Sequence, residues 1–327
     1  MVEFVIMSRP KIFIDGYGGT TGLRIREWLV SRDDIEVITI VGEDYKLEAA
    51  RRDAISESDI TLLCLPDEAA RESARWAISH GKRVLDSSSI HRIADDWVYG
   101  LPELALDQRQ LIRGANRVSV PGCYPSAVIL LLRPLIDAQI LSPETAISIH
   151  ALSGYSGGGK SLIKRWESPE TNLINHGFEA PYALSRIHKH IAEMQRYTGL
   201  NQPPQFVPSV GPFYCGMRVQ VPIHQALITK GMTVAHVSEA LLERYENEPF
   251  VEVLTFESGD EFDEWSLDPR ILNNTNQMRL HVFPNPDGHI LLVGILDNLG
   301  KGAAGAALQS INIMLGVTET IGLKGWN

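Results

Sequence analysis

The chain has 327 residues, 44% hydrophobic and 21% charged, values that suit a globular protein of two domains with a sizeable core. Thirty Lys and Arg against forty Asp and Glu leave a formal charge of −10, which argues against a nucleic-acid or anionic-membrane partner, so an anionic substrate must be met by local cations. Three cysteines without close spacing, Cys64, Cys123 and Cys215, argue against a disulfide framework or a zinc site and for a reducing, cytoplasmic setting. Residues 1–10 hold an apolar patch that carries Glu3, and it lacks both the basic start of a signal peptide and the length of a membrane span.

Residues 11–15 read as a short apolar strand, followed by the turn Gly16-Tyr17-Gly18-Gly19-Thr20-Thr21-Gly22 and a helical pattern over 23–31. Glycines at 16, 19 and 22 allow a tight turn, let backbone approach a pyrophosphate, and aim helix N–H groups at it. The plainer alternative is a glycine turn that only packs helix on strand. Strands over 35–41, 60–65 and 83–85 alternate with helical stretches over 45–55 and 67–80, which predicts a parallel sheet with crossover helices. Glu43 and Asp44 stand where an acidic residue bonds an adenosine ribose, whereas Arg51 and Arg52 could meet a 2′-phosphate; the pattern leaves NAD and NADP open. Cys64 lies within an apolar strand and reads as core. Residues 86–92, Asp-Ser-Ser-Ser-Ile-His-Arg, follow a strand end, the edge where ligands of open α/β sheets gather. Arg92 there suits bidentate phosphate binding, with a surface arginine as the alternative.

The stretch Ser119-Val120-Pro121-Gly122-Cys123-Tyr124-Pro125-Ser126 joins a strand over 117–120 to an apolar helix over 127–136. Pro125 suits a first helical turn, so Cys123 stands at a helix N-terminus, where a lowered thiol pKa and a nucleophilic role are expected. A buried structural cysteine is the alternative. Downstream of a strand over 146–152, residues 154–158 match a serine-hydrolase elbow, and 154–161, GYSGGGKS, match a P-loop whose second acidic strand 291–297 could supply. Against both, 217–221 and 278–282 alternate as antiparallel strands do, and a nucleotide fingerprint already occupies the N-terminus. The glycine loop is therefore expected to line an active site opposite Cys123. Helices are expected over 187–197 and 234–247, a strand over 289–297, and loops at Pro203-Pro204 and Asn273-Asn274. A small apolar helix over 303–315 is expected to return to the first domain. In His188-Lys189-His190-Ile191-Ala192-Glu193 no third ligand favours a metal, and acid/base work beside Cys123 is the reading that completes a thiolate mechanism.

The stretches KIFIDGYGGTTGLRIREWL, LLCLPDEAARE, VSVPGCYPS, SGYSGGGK, HKHIAEMQ and LDNLGKGAAGAALQ resemble the N-acetyl-gamma-glutamyl-phosphate reductases of arginine biosynthesis, in their shorter-chain type, over nearly the whole chain. The resemblance implies an α/β fold: a Rossmann-type dinucleotide-binding domain over 1–122, with 300–327 packing back on it, and a mixed α+β catalytic and dimerisation domain over 123–299 like that of glyceraldehyde-3-phosphate dehydrogenase. It implies NADP rather than NAD, an acyl-phosphate substrate, no metal, and a homotetramer or dimer. Cys123 resembles the family's nucleophile and His188 its acid/base. Gly16, Gly18, Gly19, Thr20, Thr21, Gly22, Ser88 and Asn298 are the implied cofactor contacts. Arg92, Ser153, Gly154, Lys189, His190 and Glu193 are the implied substrate and phosphate contacts. Two positions depart from the family pattern: Tyr17-Gly18 in the cofactor loop, and Ala192 where a proline is usual. An aspartyl- or aminoadipyl-phosphate reductase and a non-catalytic NADP-binding redox sensor are the competing expectations.

Overall fold

Every second residue of the first strands faces the opposite way, and both sets are buried, as strands covered by helices on two sides require. In the computed structural model, which describes residues 9–40, 42, 44–185, 187–257 and 260–325, β1 (Lys11–Asp15) sends Ile12 and Ile14 into one apolar layer and Phe13 into another. It is followed by α1 (Thr20–Leu29), β2 (Glu36–Ile38), α2 (Glu48–Glu57), β3 (Ile60–Leu63), α3 (Asp67–Ser79), β4 (Arg83–Asp86), β5 (Val98–Tyr99), α4 (Gln108–Gly114) and β6 (Arg117–Ser119). The six strands form one parallel sheet in the order β2-β1-β3-β4-β6-β5. Strand order reverses between β1 and β3, and a ligand cleft forms at the carboxyl ends there. Residues 1–8 and Glu43 lie outside the described residues.

The second half begins with α5 (Cys123–Asp137), whose residues from Tyr124 to Leu132 are all buried. It continues with β7 (Ser148–Gly154), α6 (Gly159–Glu167), β8 (Ala180–Pro181), α7 (Ile191–Thr198), β9 (Gln205–Gly211), β10 (Met217–Ile223), α8 (Val234–Tyr245), β11 (Val251–Thr255), β12 (Met278–Pro284), β13 (Ile290–Leu296) and α9 (Gly305–Leu315). A seven-stranded mixed sheet runs β11-β12-β13-β10-β7-β9-β8, and α5, α7 and α8 cover one face. The antiparallel patterning over 217–221 and 278–282 corresponds to β10 and β12, each antiparallel to β13. Because β7 lies between antiparallel β10 and parallel β9, the GYSGGGKS stretch does not enter the parallel sheet that a P-loop needs.

The helix expected over 303–315 is α9, preceded by a π turn, Gly300–Ala304. Its apolar residues join those of β1, β3, β4, β6, α1 and α4 in one core layer, while α2 and α3 cover the opposite face of the first sheet. Lys301 anchors the return: its Nζ donates to Glu103 Oε1 at 2.6 Å and to Gln309 Oε1 at 2.7 Å, with all three side chains wholly buried. The turn lies so close to α5 that a Cβ on Gly302 would stand 2.7 Å from Cys123 Cβ. Among the described residues, no helix is long and apolar enough to cross a membrane.

Candidate active site

A cleft of about 970 Å³ runs from the glycine turn after β1, past Ser87 and Ser88 at the end of β4, to Cys123 and the His188–His190 turn. At its first end the backbone passes very close to β3. Gly16 has φ +86°, and a Cβ there would stand 2.5 Å from the Cys64 carbonyl; one on Gly22 would stand 2.8 Å from Tyr17 Cα. Gly19 is the N-cap of α1, and the uncapped first turn at Thr20, Thr21 and Gly22 opens into the cleft. That arrangement fits a dinucleotide's pyrophosphate. Of the glycine turn's expected contacts, Gly19 to Gly22 line the cleft, whereas Gly18 does not and Gly16 shapes the turn.

Ser88 is oriented by Asp86, which accepts from its N–H at 2.9 Å and its hydroxyl at 2.6 Å. Asn298 accepts from Gly216 N–H at 2.8 Å and donates to Ser156 Oγ at 3.0 Å, so its amide is fixed at the cleft wall. Arg51 is committed elsewhere: it holds the buried Asp15 through Nε and Nη2, at 2.9 and 2.8 Å, which removes it as a 2′-phosphate partner. Arg52 remains near the surface beside Glu48, its guanidinium over Trp76.

At the other end, the backbone leaves β6 at Ser119, turns through Pro121-Gly122, and starts α5 at Cys123 with Gly122 as N-cap. The turn is held by Glu193, from the first turn of α7. Its Oε1 accepts from Arg92 Nη1 at 2.8 Å, and its Oε2 accepts from Tyr99 OH and from Gly122 N–H, both at 2.9 Å. The expectation places Glu193 among the substrate and phosphate contacts; with its oxygens engaged by three donors and 1% of its surface exposed, it is instead the tie that holds the turn before Cys123. Arg92 is likewise not the open phosphate fork expected: Nη1 is on Glu193 and Nη2 on the Ser87 carbonyl at 2.9 Å, though the side chain still lines the cleft.

The helix expected over 187–197 starts only at Ile191, leaving the histidines on the turn before it. His190 N–H donates to His188 Nδ1 at 3.1 Å, so His188 carries its proton on Nε2, which faces Tyr182 OH at 3.5 Å. Tyr182 OH in turn donates to Tyr124 OH at 3.1 Å. The missing side chain of Gly122 leaves a notch for His190, whose Nε2 would stand 2.7 Å from a Cβ at that position. His190 Nδ1 is buried without a partner. Burial, with Lys189 and Arg92 adding to it, lowers the His188 pKa to about 4; burial, followed by Arg92, takes His190 well below its ordinary value. Both imidazoles are therefore neutral near pH 7.

The thiol departs from expectation. Burial pushes Cys123 up to about 11, outweighing the lowering by Arg92 and by the N–H groups of Tyr124 and Cys123 at the start of α5. The helix start contributes in the expected direction and is overruled. At pH 8 only about one thiol in a thousand would be ionised in the free protein, so iodoacetamide labelling of Cys123, followed by peptide mass spectrometry, should still accelerate beyond pH 9.5. A labelling plateau below pH 8 would contradict that environment. Lys189 is exposed at the cleft, and Ser153 lines it with Gly154 at the end of β7. Tyr99, Tyr124 and Tyr182 were not anticipated as parts of the site; Tyr124 adjoins Cys123 in sequence and was the one of the three open to notice.

Two family models match the chain: semialdehyde dehydrogenase, NAD binding domain, over residues 34–112, and semialdehyde dehydrogenase, dimerisation domain, over 123–298. An N-acetyl-gamma-glutamyl-phosphate reductase of Trichormus variabilis is 43% identical, across 97% of this chain and 100% of its own. One of Burkholderia lata is 42% identical, across 96% and 98% respectively. Among solved structures, aspartate semialdehyde dehydrogenase II of Vibrio cholerae, complexed with ASA, superposes with a TM-score of 0.72 at 18% identity, across 94% of this chain and 99% of that one. The aspartate semialdehyde dehydrogenase with NADP of Candida albicans gives 0.65 at 14%, across 94% and 99%. These last two establish likeness of fold.

Proposed function

Since the chain belongs to the semialdehyde dehydrogenase family, and within it to the N-acetyl-gamma-glutamyl-phosphate reductases, we propose that it reduces N-acetyl-glutamyl 5-phosphate to N-acetylglutamate 5-semialdehyde and phosphate through a thioester on Cys123, as a step of arginine biosynthesis. The observation that carries the mechanism is the meeting of a thiol at a helix N-terminus, a neutral imidazole in the notch of Gly122, and a pyrophosphate-type glycine turn in one cleft.

The buried thiol gives its proton to a neutral imidazole as the acyl phosphate arrives. That role, expected of His188, falls in this reading to His190, because His188 Nδ1 already accepts from backbone and its Nε2 carries a proton directed at Tyr182. The thiolate attacks the acyl carbon, the carbon–oxygen bond to phosphate breaks, and the proton held by His190 leaves with the phosphate. Lys189, with Arg92 behind it, supplies positive charge for that departing group, and N–H groups at the start of α5 face the oxygen that gains charge. NADPH, when bound through Gly19, Thr20, Thr21, Gly22, Ser88 and Asn298, supplies the hydride. Cys123 then departs from the carbonyl carbon as the aldehyde forms, and a solvent proton restores the thiol. In this division residues 1–122 with 300–327 hold the dinucleotide and 123–299 carry the chemistry. The protein is a homo-oligomer, a dimer or tetramer in this reading, and three free thiols suit the cytoplasm.

The test is the reverse reaction: N-acetylglutamate semialdehyde, NADP and phosphate, followed at the nicotinamide absorbance, with NAD and with aspartate semialdehyde as parallel arms. Reduction with the acetylated aldehyde and NADP alone is expected. Faster turnover of aspartate semialdehyde would move the protein to the sister activity, and cofactor binding without turnover of either aldehyde would favour the redox sensor.

A further inference from the structure

Beyond Cys123 the cleft extends to a region that the thioester chemistry leaves unused. There α6 presents Leu162 and Trp166, which pack with Leu173, Val210 and Tyr182 into an apolar floor, and Arg165 lines the cleft beside them. The charges around the cleft are distributed unevenly. Among the described lining residues the one carboxylate is Asp67, which opens α3 and accepts from Ser89 N–H at 3.0 Å and Ser89 Oγ at 2.8 Å. Glu167 at the end of α6 does not line the cleft and accepts from Tyr155 OH at 3.1 Å, so the described lining offers a free ammonium near α6 no acidic partner of its own. Of the lining cations, Arg92 is neutralised by Glu193, and Lys189 acts on both histidines at the reacting end. Lys160 follows the glycine run whose Gly157 stands near Asn298 on the cofactor side. Arg165, more than a turn further along α6, is the cation that borders the apolar floor.

We propose that Arg165 is a specificity-determining residue that takes the α-carboxylate of the substrate, while the apolar floor holds its N-acyl methyl group. This pairing favours the N-acylated aldehyde over its free amino analogue, to whose ammonium the described cleft lining near α6 offers no carboxylate. A guanidinium matches a carboxylate fork to fork, and an acyl methyl removed from water rewards an apolar wall. This inference rests on the function proposed above.

The reverse reaction separates the two anions, because the carboxylate arrives on the aldehyde and the phosphate arrives free. Arg165→Met should raise KM for N-acetylglutamate semialdehyde by roughly ten- to a hundredfold, the size of a lost charged hydrogen bond, with KM for phosphate and kcat within about twofold of wild type. Arg165→Lys should recover part of the loss. An unchanged aldehyde KM in Arg165→Met, a change carried by the phosphate KM, or the same effect from Lys160→Met with Arg165→Met silent would each overturn the assignment. A wild-type protein inert toward the acetylated aldehyde would sink the functional reading and this inference with it, whereas an active wild type with a silent Arg165→Met sinks the inference alone.

Discussion

Replacing Cys123 by serine should lower turnover by at least about a thousandfold while leaving NADPH binding, read by nicotinamide fluorescence, within about twofold of wild type. The substitution keeps size and backbone, so α5 still starts in the same place. A hydroxyl in a site that already lifts a thiol to about 11 will not ionise near neutral pH. Any ester that did form would accept hydride less readily than a thioester. Cys215→Ser is the control, since Cys215 does not line the cleft. A Cys123→Ser protein retaining more than a few per cent of activity would remove the nucleophile assignment.

Glu193→Ala should be the most damaging single change to the stability of the site. It leaves the Arg92 guanidinium buried without its counter-charge, and it strips acceptors from Tyr99 OH and Gly122 N–H. Breaking a buried ion pair from one side costs about 3–5 kcal/mol, which for a chain of this size lowers Tm by about 4–7 °C. Glu193→Gln keeps the shape and one acceptor but not the charge, so it should lose less stability than Glu193→Ala and still lose activity, because an amide N–H must then confront at least one of the three donors. Thermal melts paired with phosphate KM separate the roles. Wild-type Tm in Glu193→Ala with a changed phosphate KM would return this residue to the substrate contacts.

Local signals carried much of the first sheet and both ends of the cleft. Gly16 to Gly22 and Pro121-Gly122-Cys123 are runs in which backbone demands and chemistry coincide within a few residues. What escaped the sequence depends on distance along the chain. Glu193 meets partners 101, 94 and 71 positions away, and nothing in HKHIAE says which donors it will face. The thiol pKa divides the same way: the helix start, which lowers it, is a local feature, whereas burial, which raises it, is set by the whole fold. β9 was hidden by its composition, since Pro203-Pro204 reads as a loop and Pro208 interrupts the strand pattern that follows, yet β9 pairs along its whole length with β7. β5 and β8, at two residues each, are too short to show a period. Trp166 and Leu173 likewise carry no motif, although they help to form the apolar floor beside Arg165.

The return of α9 also bears on how the polypeptide reaches this state on the ribosome. Ile12, Ile14, Leu62, Leu85 and Val118 share their layer with residues 304–314, so the first sheet is only partly covered on that face, by α1 and α4, after β6 has been synthesised. At about 5–20 residues per second, the nearly 200 residues separating β6 from the end of α9 take roughly 10–40 s to emerge. Through that interval the nascent chain displays the part of that apolar surface that α9 will cover. Lys301 must then be drawn out of water to meet Glu103, so the closing step combines long-range loop closure with burial of a charge. Late completion of the first core is thus a consequence of where in the chain its last piece is encoded.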